Sequence, residues 1–240
     1  MQALILAGGK GTRLRPYTTV LPKPLMPIGD MPIMEIVLRQ LKAAGFDSVI
    51  MAVGYMHHLF ESFFQDGKRY GLNITYSFED EPLGTAGPIA LVLDKLEENF
   101  LVMNGDLLTT LNYRSLFDRH IQTKSAATIA LHRRTVNIDY GVIKYDKNNR
   151  LIGYTEKPSY DYDVSMGVNI LNRKTIAKIV KVNKYLDIPD LMMQLNSKGE
   201  LVSCYREECD WLDIGRVDDY KLAVDLFENN KSHFVKDNIE

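Results

Sequence analysis

The segment from Leu4 to Pro27, LILAGGKGTRLRPYTTVLPKPLMP, constrains the fold and chemistry of this chain more than any other stretch. Residues 3–7 form a short apolar run that predicts a buried β-strand, and the strand breaks into three glycines within four residues. Glycine lets backbone N–H groups approach an anion closely, and neighbouring lysine and arginine side chains add positive charge. This pattern predicts a phosphate-binding loop, with an ordinary surface turn as the alternative that the stretch alone leaves open.

Two common phosphate-binding motifs do not fit this loop. A Walker motif needs Gly-Lys followed by Ser or Thr, whereas Lys10 is followed by Gly11. The dinucleotide fingerprint leads directly into a helix, but Pro16 and the triplet Pro22-Lys23-Pro24 are incompatible with a helix interior. We therefore expect a long loop that returns across the strand ends.

Composition and charge limit the classes of protein that the chain can belong to. With 240 residues, 45% hydrophobic and 25% charged, it has an ordinary globular composition. A formal net charge of -2 argues against a nucleic-acid partner. The start of the chain shows no signal sequence, and no apolar run approaches the roughly 18 residues of a membrane span. We expect a cytoplasmic protein without a membrane partner, in which Cys204 and Cys209 are reduced thiols.

Alternating strand and helix signals predict the fold class. Strand signals lie at 48–53, 72–76 and 100–103, and helix signals at 33–44, with Asp30 as the cap, at 59–64 and at 88–96. Later strand signals lie at 126–132, 141–145, 151–156, 164–171 and 201–205, with turns at 146–149 and 158–161. Later helices are expected at 112–122, 174–180, 188–195 and 217–227. The pattern predicts an α/β fold with a Rossmann-like, mostly parallel but mixed sheet flanked by helices.

Two carboxylates are candidate metal ligands. In parallel sheets the ligand crevice lies at the carboxyl ends of strands, where both the glycine loop and Asp106 are expected. A bare carboxylate there can hold Mg²⁺ while phosphates and water supply the other ligands. Asp213, within W-L-D-I-G, has the same chemistry. Turn capping is the alternative role for either residue.

The pattern G-G-x-G-T-R-L-x-P followed by P-K-P resembles the signature of sugar-1-phosphate nucleotidylyltransferases. The resemblance extends to about residue 227, and the string E-P-L-G-T-A-G is most similar to mannose-1-phosphate guanylyltransferase-like enzymes. It implies a GT-A-like nucleotidyltransferase fold and transfer of a nucleotidyl group from a nucleoside triphosphate to a sugar 1-phosphate. It also implies direct in-line attack with release of pyrophosphate and no covalent intermediate. We predict one domain over residues 1–240, with a nucleotide half at about 1–110 and an acceptor half at about 111–230.

The resemblance assigns roles to individual residues. Arg13 and Lys23 are the expected catalytic residues, with Lys23 on the α-phosphate, and Asp106 and Asp213 are the expected ligands of a Mg²⁺ cofactor. The expected nucleotide-binding residues are Leu6, Ala7, Gly8, Gly9, Lys10, Gly11, Thr12, Arg13, Glu79, Gly84, Thr85, Asn104 and Gly105.

Glu79 is expected to read the base. The resemblance places it where thymidylyl relatives carry a glutamine, and a carboxylate only accepts hydrogen bonds. Guanine offers two adjacent donors, N1–H and N2–H₂, so GTP is the favoured substrate. The alternative function is that of a uridylyl- or thymidylyltransferase acting on glucose 1-phosphate or a related sugar. For the segment itself, the alternative is a solvated acidic loop with no binding role.

Two further segments resemble the sugar-phosphate site of the family. Y-G-V and E-K-P imply that Gly141 leaves room for the ring, Glu156 binds hydroxyls and Lys157 contacts the phosphate. Gly167 and Asn169, in M-G-V-N, resemble the adjoining sugar-facing segment. Family members often carry an aromatic residue where Asn169 stands, so the sugar stays undefined.

Alternatives from other classes are also open. Relatives of these enzymes can serve as catalytically silent regulatory subunits, although Lys23, Asp106 and Asp213 together argue against this. A dehydrogenase is disfavoured by the failed dinucleotide fingerprint. Many family members carry a C-terminal β-helix that mediates assembly. Its hexapeptide repeats are not found here, so a homo-oligomer is neither predicted nor excluded.

Overall fold

A seven-stranded sheet organises the chain, which the computed structural model describes over residues 1–235. The strands are β1 (Gln2–Ala7), β2 (Pro27–Ile28), β3 (Met31–Pro32), β4 (Ser48–Val53), β5 (Asn73–Phe78), β6 (Asn99–Asn104), β7 (Leu107–Thr109), β8 (Ala127–Asn137), β9 (Val142–Tyr145), β10 (Leu151–Thr155), β11 (Ser159–Asn172), β12 (Val202–Arg206) and β13 (Trp211–Asp213). The α-helices are α1 (Ile33–Ala43), α2 (His57–Phe64), α3 (Tyr113–Thr123), α4 (Arg173–Ile176), α5 (Ile188–Ser197) and α6 (Val217–Phe234).

The strand order of the sheet is β12-β8-β11-β6-β1-β4-β5. Neighbouring strands are parallel except at β11, which runs antiparallel to both β6 and β8. The predicted α/β fold with a mostly parallel, mixed sheet is therefore confirmed. Strands from both predicted halves share this sheet, and the single-domain division stays a prediction. Leu6 pairs with Asn104, so the carboxyl ends of β1 and β6 lie side by side.

Alternating side chains of the strands build one core on each face of the sheet. Ile5 packs with α1, α2 and α3, whereas Leu4 points to the opposite face with α5. This is the period-two alternation that places successive residues on opposite faces. Phe227 of α6 packs with Leu14 and Ile214 in a third cluster, which anchors the loop after β1. Within residues 1–235, no helix combines the length and the apolar character needed to cross a membrane.

The helix predicted at 88–96 is wrong. The chain forms two short 3₁₀ turns instead, Gly87–Leu91 and Leu93–Lys95, separated by Val92 at φ -124°. Val92 is a β-branched residue, and its side chain is buried in the core beneath the sheet. Packing of these short turns against the sheet therefore overrides the local helix signal.

The predicted cap of α1 is also wrong. Pro32, in extended conformation, stands at the N-cap position and gives no side-chain hydrogen bond to the helix. Asp30 instead accepts hydrogen bonds from Lys231 of α6 at 2.9 and 3.0 Å. A tertiary ion pair has replaced the local cap.

Strands β8 and β11 are longer than their sequence signals. The predicted turn at 158–161 is wrong because β11 begins at Ser159 and pairs with the end of β8. Residues 132–137 of β8 and 159–164 of β11 pair only with each other. With the β9–β10 hairpin they form an extension that we call the arm, residues 132–165. The predicted helix at 174–180 is shortened to α4, which ends at Ile176.

Candidate active site

The loop after β1 returns across the strand ends through three 3₁₀ turns, at Thr12–Leu14, Tyr17–Thr19 and Lys23–Leu25. Gly11 adopts a φ of +59°, and a Cβ there would lie 3.0 Å from the Thr18 side chain. The Thr18 hydroxyl donates a 2.8 Å hydrogen bond to the Gly11 carbonyl. Gly11 therefore permits the tight return that places Lys23 beneath the strand ends.

Lys23, Asp106 and Asp213 meet at the carboxyl end of the sheet. Leu107 of β7 pairs with Asp213 of β13, so the two carboxylates lie on neighbouring strand ends. The Lys23 ammonium forms an ion pair with Asp106 and lies 3.7 Å from the Asp213 carboxylate. The Lys23 side chain is only 8% exposed, whereas that of Asp213 is 50% exposed. Two aspartates far apart in the sequence thus share one cation.

The electrostatics of this cluster favour further positive charge. Burial raises the pKa of Asp213, and the nearby Asp106 carboxylate raises it further, against the opposing effect of Lys23 and Arg13. One Asp106 oxygen, Oδ1, is buried and has no hydrogen-bond partner in the described chain. These oxygens could hold a divalent cation. No group of three or more His, Cys, Asp or Glu side chains suited to a metal occurs within residues 1–235, so phosphate and water oxygens would complete its shell.

The glycine loop borders a cavity of about 250 Å³ next to this cluster. It brings together many of the predicted phosphate-binding residues. The lining residues are Leu6, Ala7, Gly9, Gly11, Thr12, Arg13, Lys23, Pro24 and Asp106. Lys10 is exposed and does not line the cavity. The structure therefore places both predicted catalytic residues and one predicted metal ligand around the same space.

A second cavity, of about 260 Å³, lies on the other side of Leu6. It brings predicted nucleotide, sugar and metal residues together, and Asp213 and Trp211 form part of its wall. The predicted site residues that line it are Leu6, Thr85, Asn104, Gly167, Asn169 and Asp213. Its volume and its mixed lining are suited to a small polar ligand.

Glu79 lies against the first glycine of the loop. A Cβ on Gly8 would stand 2.6 Å from Oε1 of Glu79, so the carboxylate lies directly against this glycine. The other carboxylate oxygen accepts a 3.2 Å hydrogen bond from the Leu83 N–H. Burial raises the pKa of Glu79. The predicted base-reading residue is thus half-buried beside the glycine loop and retains acceptor capacity.

The segment around Gly84 and Thr85 is held by a residue that the sequence reasoning missed, Asp187. The Thr85 N–H and hydroxyl donate to the Asp187 carboxylate at 3.0 and 3.1 Å, and the hydroxyl accepts from the Ile188 N–H at 2.8 Å. Gly84 has a φ of +78°, and a Cβ there would lie 2.6 Å from the Leu186 carbonyl oxygen. An aspartate directly before a helix is a typical N-cap residue, and this position before α5 is the sequence signal that could have identified Asp187.

Two glycines permit close approaches around the end of β6, one to β1 and one to β11. The Gly105 N–H donates to the Leu6 carbonyl at 2.9 Å. Gly167 has a φ of +74°, and a Cβ there would stand 2.8 Å from the Asn104 amide nitrogen. Nearby, Asn169 is 3% exposed, and its side-chain oxygen has no hydrogen-bond partner within residues 1–235. A buried unsatisfied amide that borders a cavity indicates a ligand or water partner.

The other predicted acceptor residues lie elsewhere. Gly141, Glu156 and Lys157 belong to the arm and line neither of the two cavities described above. The Tyr154 hydroxyl packs against Gly141 and donates to Glu156 at 3.2 Å. Lys157 is exposed. The structure therefore does not bring these three residues to the Gly167 and Asn169 side of the site.

The fold and the site together define a class of protein. An α/β sheet whose first strand runs into a glycine-rich loop, with a lysine and two carboxylates at the strand ends, suits the binding of a nucleotide through its phosphates. The chain belongs to the nucleotidyl transferase family, whose model matches residues 2–230. The resemblance inferred from the sequence motifs is thereby confirmed.

Known relatives include enzymes of different base specificity. The chain is 32% identical to a UTP--glucose-1-phosphate uridylyltransferase of Synechocystis and 34% identical to a D-glycero-alpha-D-manno-heptose 1-phosphate guanylyltransferase of Aneurinibacillus thermoaerophilus, each over 93% of its length. It spans 62% of the first relative and 96% of the second. Mannose-1-phosphate guanylyltransferases also occur among the relatives, one of them 32% identical in Mycobacterium tuberculosis.

A solved structure shares the fold over nearly the whole chain. It is a Bacillus anthracis protein in complex with sucrose, described as a glucose-1-phosphate thymidylyltransferase, with a TM-score of 0.76 and 25% identity. The alignment covers 94% of each chain. The relatives therefore agree on the type of reaction and differ in base and sugar.

Proposed function

We propose that this protein transfers a nucleotidyl group from a nucleoside triphosphate to a sugar 1-phosphate, giving a nucleotide sugar and pyrophosphate. The convergence of Lys23, Asp106 and Asp213 beside the glycine loop carries the proposal. Membership of the family supports it, because the curated relatives are named as sugar-1-phosphate nucleotidyltransferases.

The residues around the glycine loop suit the chemistry of this step. An oxygen of the acceptor phosphate forms a bond to the α-phosphorus, and the bond from that phosphorus to the bridging oxygen breaks, so pyrophosphate leaves. Lys23 and Arg13 are placed to neutralise the negative charge of the phosphates, which is usually the largest contribution to catalysis. Asp106 and Asp213 would hold Mg²⁺, which when bound supplies further positive charge to the phosphates.

GTP is the nucleotide that the site favours in our proposal. The half-buried Glu79 offers only acceptor oxygens, which match the adjacent N1–H and N2–H₂ donors of guanine. Uracil and thymine present one donor between two acceptors and would leave a carboxylate oxygen opposite a carbonyl. The alternative, a pyrimidine nucleotide, has support from the uridylyl relative and from the thymidylyl-type structure.

We assign the acceptor sugar to the cavity lined by Gly167 and Asn169. The side-chain oxygen of Asn169, which has no partner among residues 1–235, can accept a hydrogen bond from a sugar hydroxyl. Glu156 and Lys157, on the arm, stay candidates for the hydroxyl and phosphate contacts that the family resemblance implies. The proposed role of Asn169 in binding the sugar does not depend on whether Glu156 and Lys157 make these contacts.

A matrix of substrates tests the proposal. Sugar 1-phosphates are incubated in pairs with GTP, UTP, dTTP, CTP and ATP, and pyrophosphate release is measured with Mg²⁺ present. We expect release that depends on both substrates, with the highest kcat/KM for GTP. A pyrimidine preference would refute the base assignment alone. No release from any pair would refute the enzyme and favour a silent regulatory subunit.

A further inference from the structure

A third cavity, of about 500 Å³, lies beyond Trp211 from the proposed acceptor cavity. Three arginines from distant parts of the chain line it: Arg13 of the loop after β1, Arg134 of β8 and Arg216 at the start of α6. Asp213 forms part of the wall. The cavity is therefore continuous with the proposed catalytic cluster, although no motif in the sequence points to Arg134 or Arg216.

These three guanidinium groups have no ion-pair partner in the part of the chain that the structure describes. Among residues 1–235, none of them lies within 4.0 Å of a carboxylate oxygen. The contrast with the adjacent Arg133 is informative, because it points to the opposite face of β8 and pairs with Asp163 at 3.4 Å. Within residues 1–235, Arg39, Arg114 and Arg206 also form ion pairs, whereas other arginines outside the cavity, among them Arg15 and Arg150, form none. What distinguishes this cavity is that three unpaired arginines from distant parts of the chain line one space.

Negative charge in the cavity only partly balances these arginines. Asp219 lines the wall, but it accepts a 2.8 Å hydrogen bond from the Arg216 N–H, within the first turn of α6. Asp213 is already shared with Lys23. Like charges that face the same cavity repel each other, and a bound anion reduces that repulsion. Guanidinium groups present planar pairs of N–H donors that match phosphate oxygens.

We propose that Arg134 and Arg216, together with Arg13, form a binding site for the pyrophosphate unit, as the β- and γ-phosphates of the nucleotide and as the released product. The inference rests on the proposed function. Arg13 lines both this cavity and the cavity of the glycine loop, so the site continues the path of the triphosphate. The acceptor sugar is assigned to the opposite side of Trp211, which makes the acceptor phosphate the less favoured occupant.

Calorimetric titration with inorganic pyrophosphate in metal-free buffer tests the site. It measures the affinity of the arginines for pyrophosphate without a contribution from a metal ion held by the carboxylates. The variant combines Arg134→Ala with Arg216→Ala. The control is Arg133→Ala, which removes an arginine from the opposite face of β8. We expect the double variant to bind pyrophosphate at least about 10-fold more weakly, equivalent to about 1.4 kcal/mol. The control is expected to bind as the wild type does.

Several results would overturn the inference: no binding to the wild type, unchanged affinity in the double variant, or an equal loss in the Arg133 control. Replacing both arginines by lysine retains the charge and should restore part of the affinity, which a folding defect would not do. If the double variant loses affinity for mannose 1-phosphate and not for pyrophosphate, the pyrophosphate assignment is refuted and the arginines bind the acceptor phosphate. Turnover with unaltered pyrophosphate binding in the double variant would leave the proposed function intact and refute only this site.

Discussion

Replacing Lys23 by methionine is the most direct test of the proposed catalytic cluster. The substitution removes one charge and keeps an unbranched side chain, which suits a position whose side chain is 8% exposed. The ammonium is in ion-pair contact with Asp106 and lies 3.7 Å from Asp213. In the proposed reaction it also faces the phosphate on which negative charge accumulates. The variant therefore loses both the neutralisation of two carboxylates and a contact in the transition state.

The size of the effect follows from these distances. At an effective dielectric constant of about 20, two unit charges about 4 Å apart interact by about 4 kcal/mol. Asp213 is half-exposed, so water screens a large part of that energy at its carboxylate. A preorganised charge in a partly buried site is worth about 2.7 kcal/mol or more in the transition state, which corresponds to a fall in kcat of about 100-fold.

Steady-state pyrophosphate release at saturating substrate concentrations measures this loss. Lys42→Met serves as the control, because Lys42 is an exposed lysine that lies 3.8 Å from Asp47 and lines none of the three cavities described above. The control should retain the wild-type kcat. A Lys23→Met variant that folds normally and also keeps the wild-type kcat would refute the role of Lys23 and the reading of the cluster as a phosphate site.

Three further substitutions address separate parts of the site. Asp213→Asn should raise Tm in metal-free buffer at pH 7, because the raised pKa of this carboxyl means that its ionisation destabilises the folded state. The gain in Tm, measured by calorimetry, should shrink as the pH falls toward 3.8. A lower Tm of the variant at pH 7 would contradict this expectation. Glu79→Gln should lower kcat/KM for GTP by about 10-fold relative to UTP, and an unchanged ratio would remove Glu79 from base selection. Asn169→Leu should raise KM for the sugar 1-phosphate by about 10-fold without lowering Tm, since the buried amide oxygen has no partner within residues 1–235; an unchanged KM would contradict the assignment.

The strand that leads into the glycine loop could be predicted because its signals are local. An apolar run that ends in glycines leaves few alternatives, and β1 ends at Ala7 as expected. The strand predicted at 48–53 coincides with β4 for the same reason. The return of the loop followed from its prolines, which exclude a helix interior. Where the chemistry of a few neighbouring residues decides the conformation, the sequence was sufficient.

The pairing of β7 with β13 could not be predicted from local signals. Each strand has three residues, too few to show a hydrophobic period, and the two segments are far apart in the chain. Family resemblance named Asp106 and Asp213, but only this pairing explains why they are neighbours. Arg134 and Arg216 escaped notice for the same reason, because an arginine carries no local sign of the tertiary neighbours that it will meet.

The cost of holding Asp106 and Asp213 together clarifies why Lys23 stands between prolines. Burial raises the pKa of Asp213, and repulsion from the neighbouring Asp106 carboxylate raises it further. The approach of these two carboxylates is imposed by strand pairing. A flexible lysine would lose side-chain and backbone entropy on joining them. Flanking prolines restrict the backbone before folding, so less entropy is lost when the 3₁₀ turn at Lys23–Leu25 forms. The loop thus delivers a cation where the sheet concentrates negative charge, and a nucleotide-bound cation can relieve the remaining imbalance.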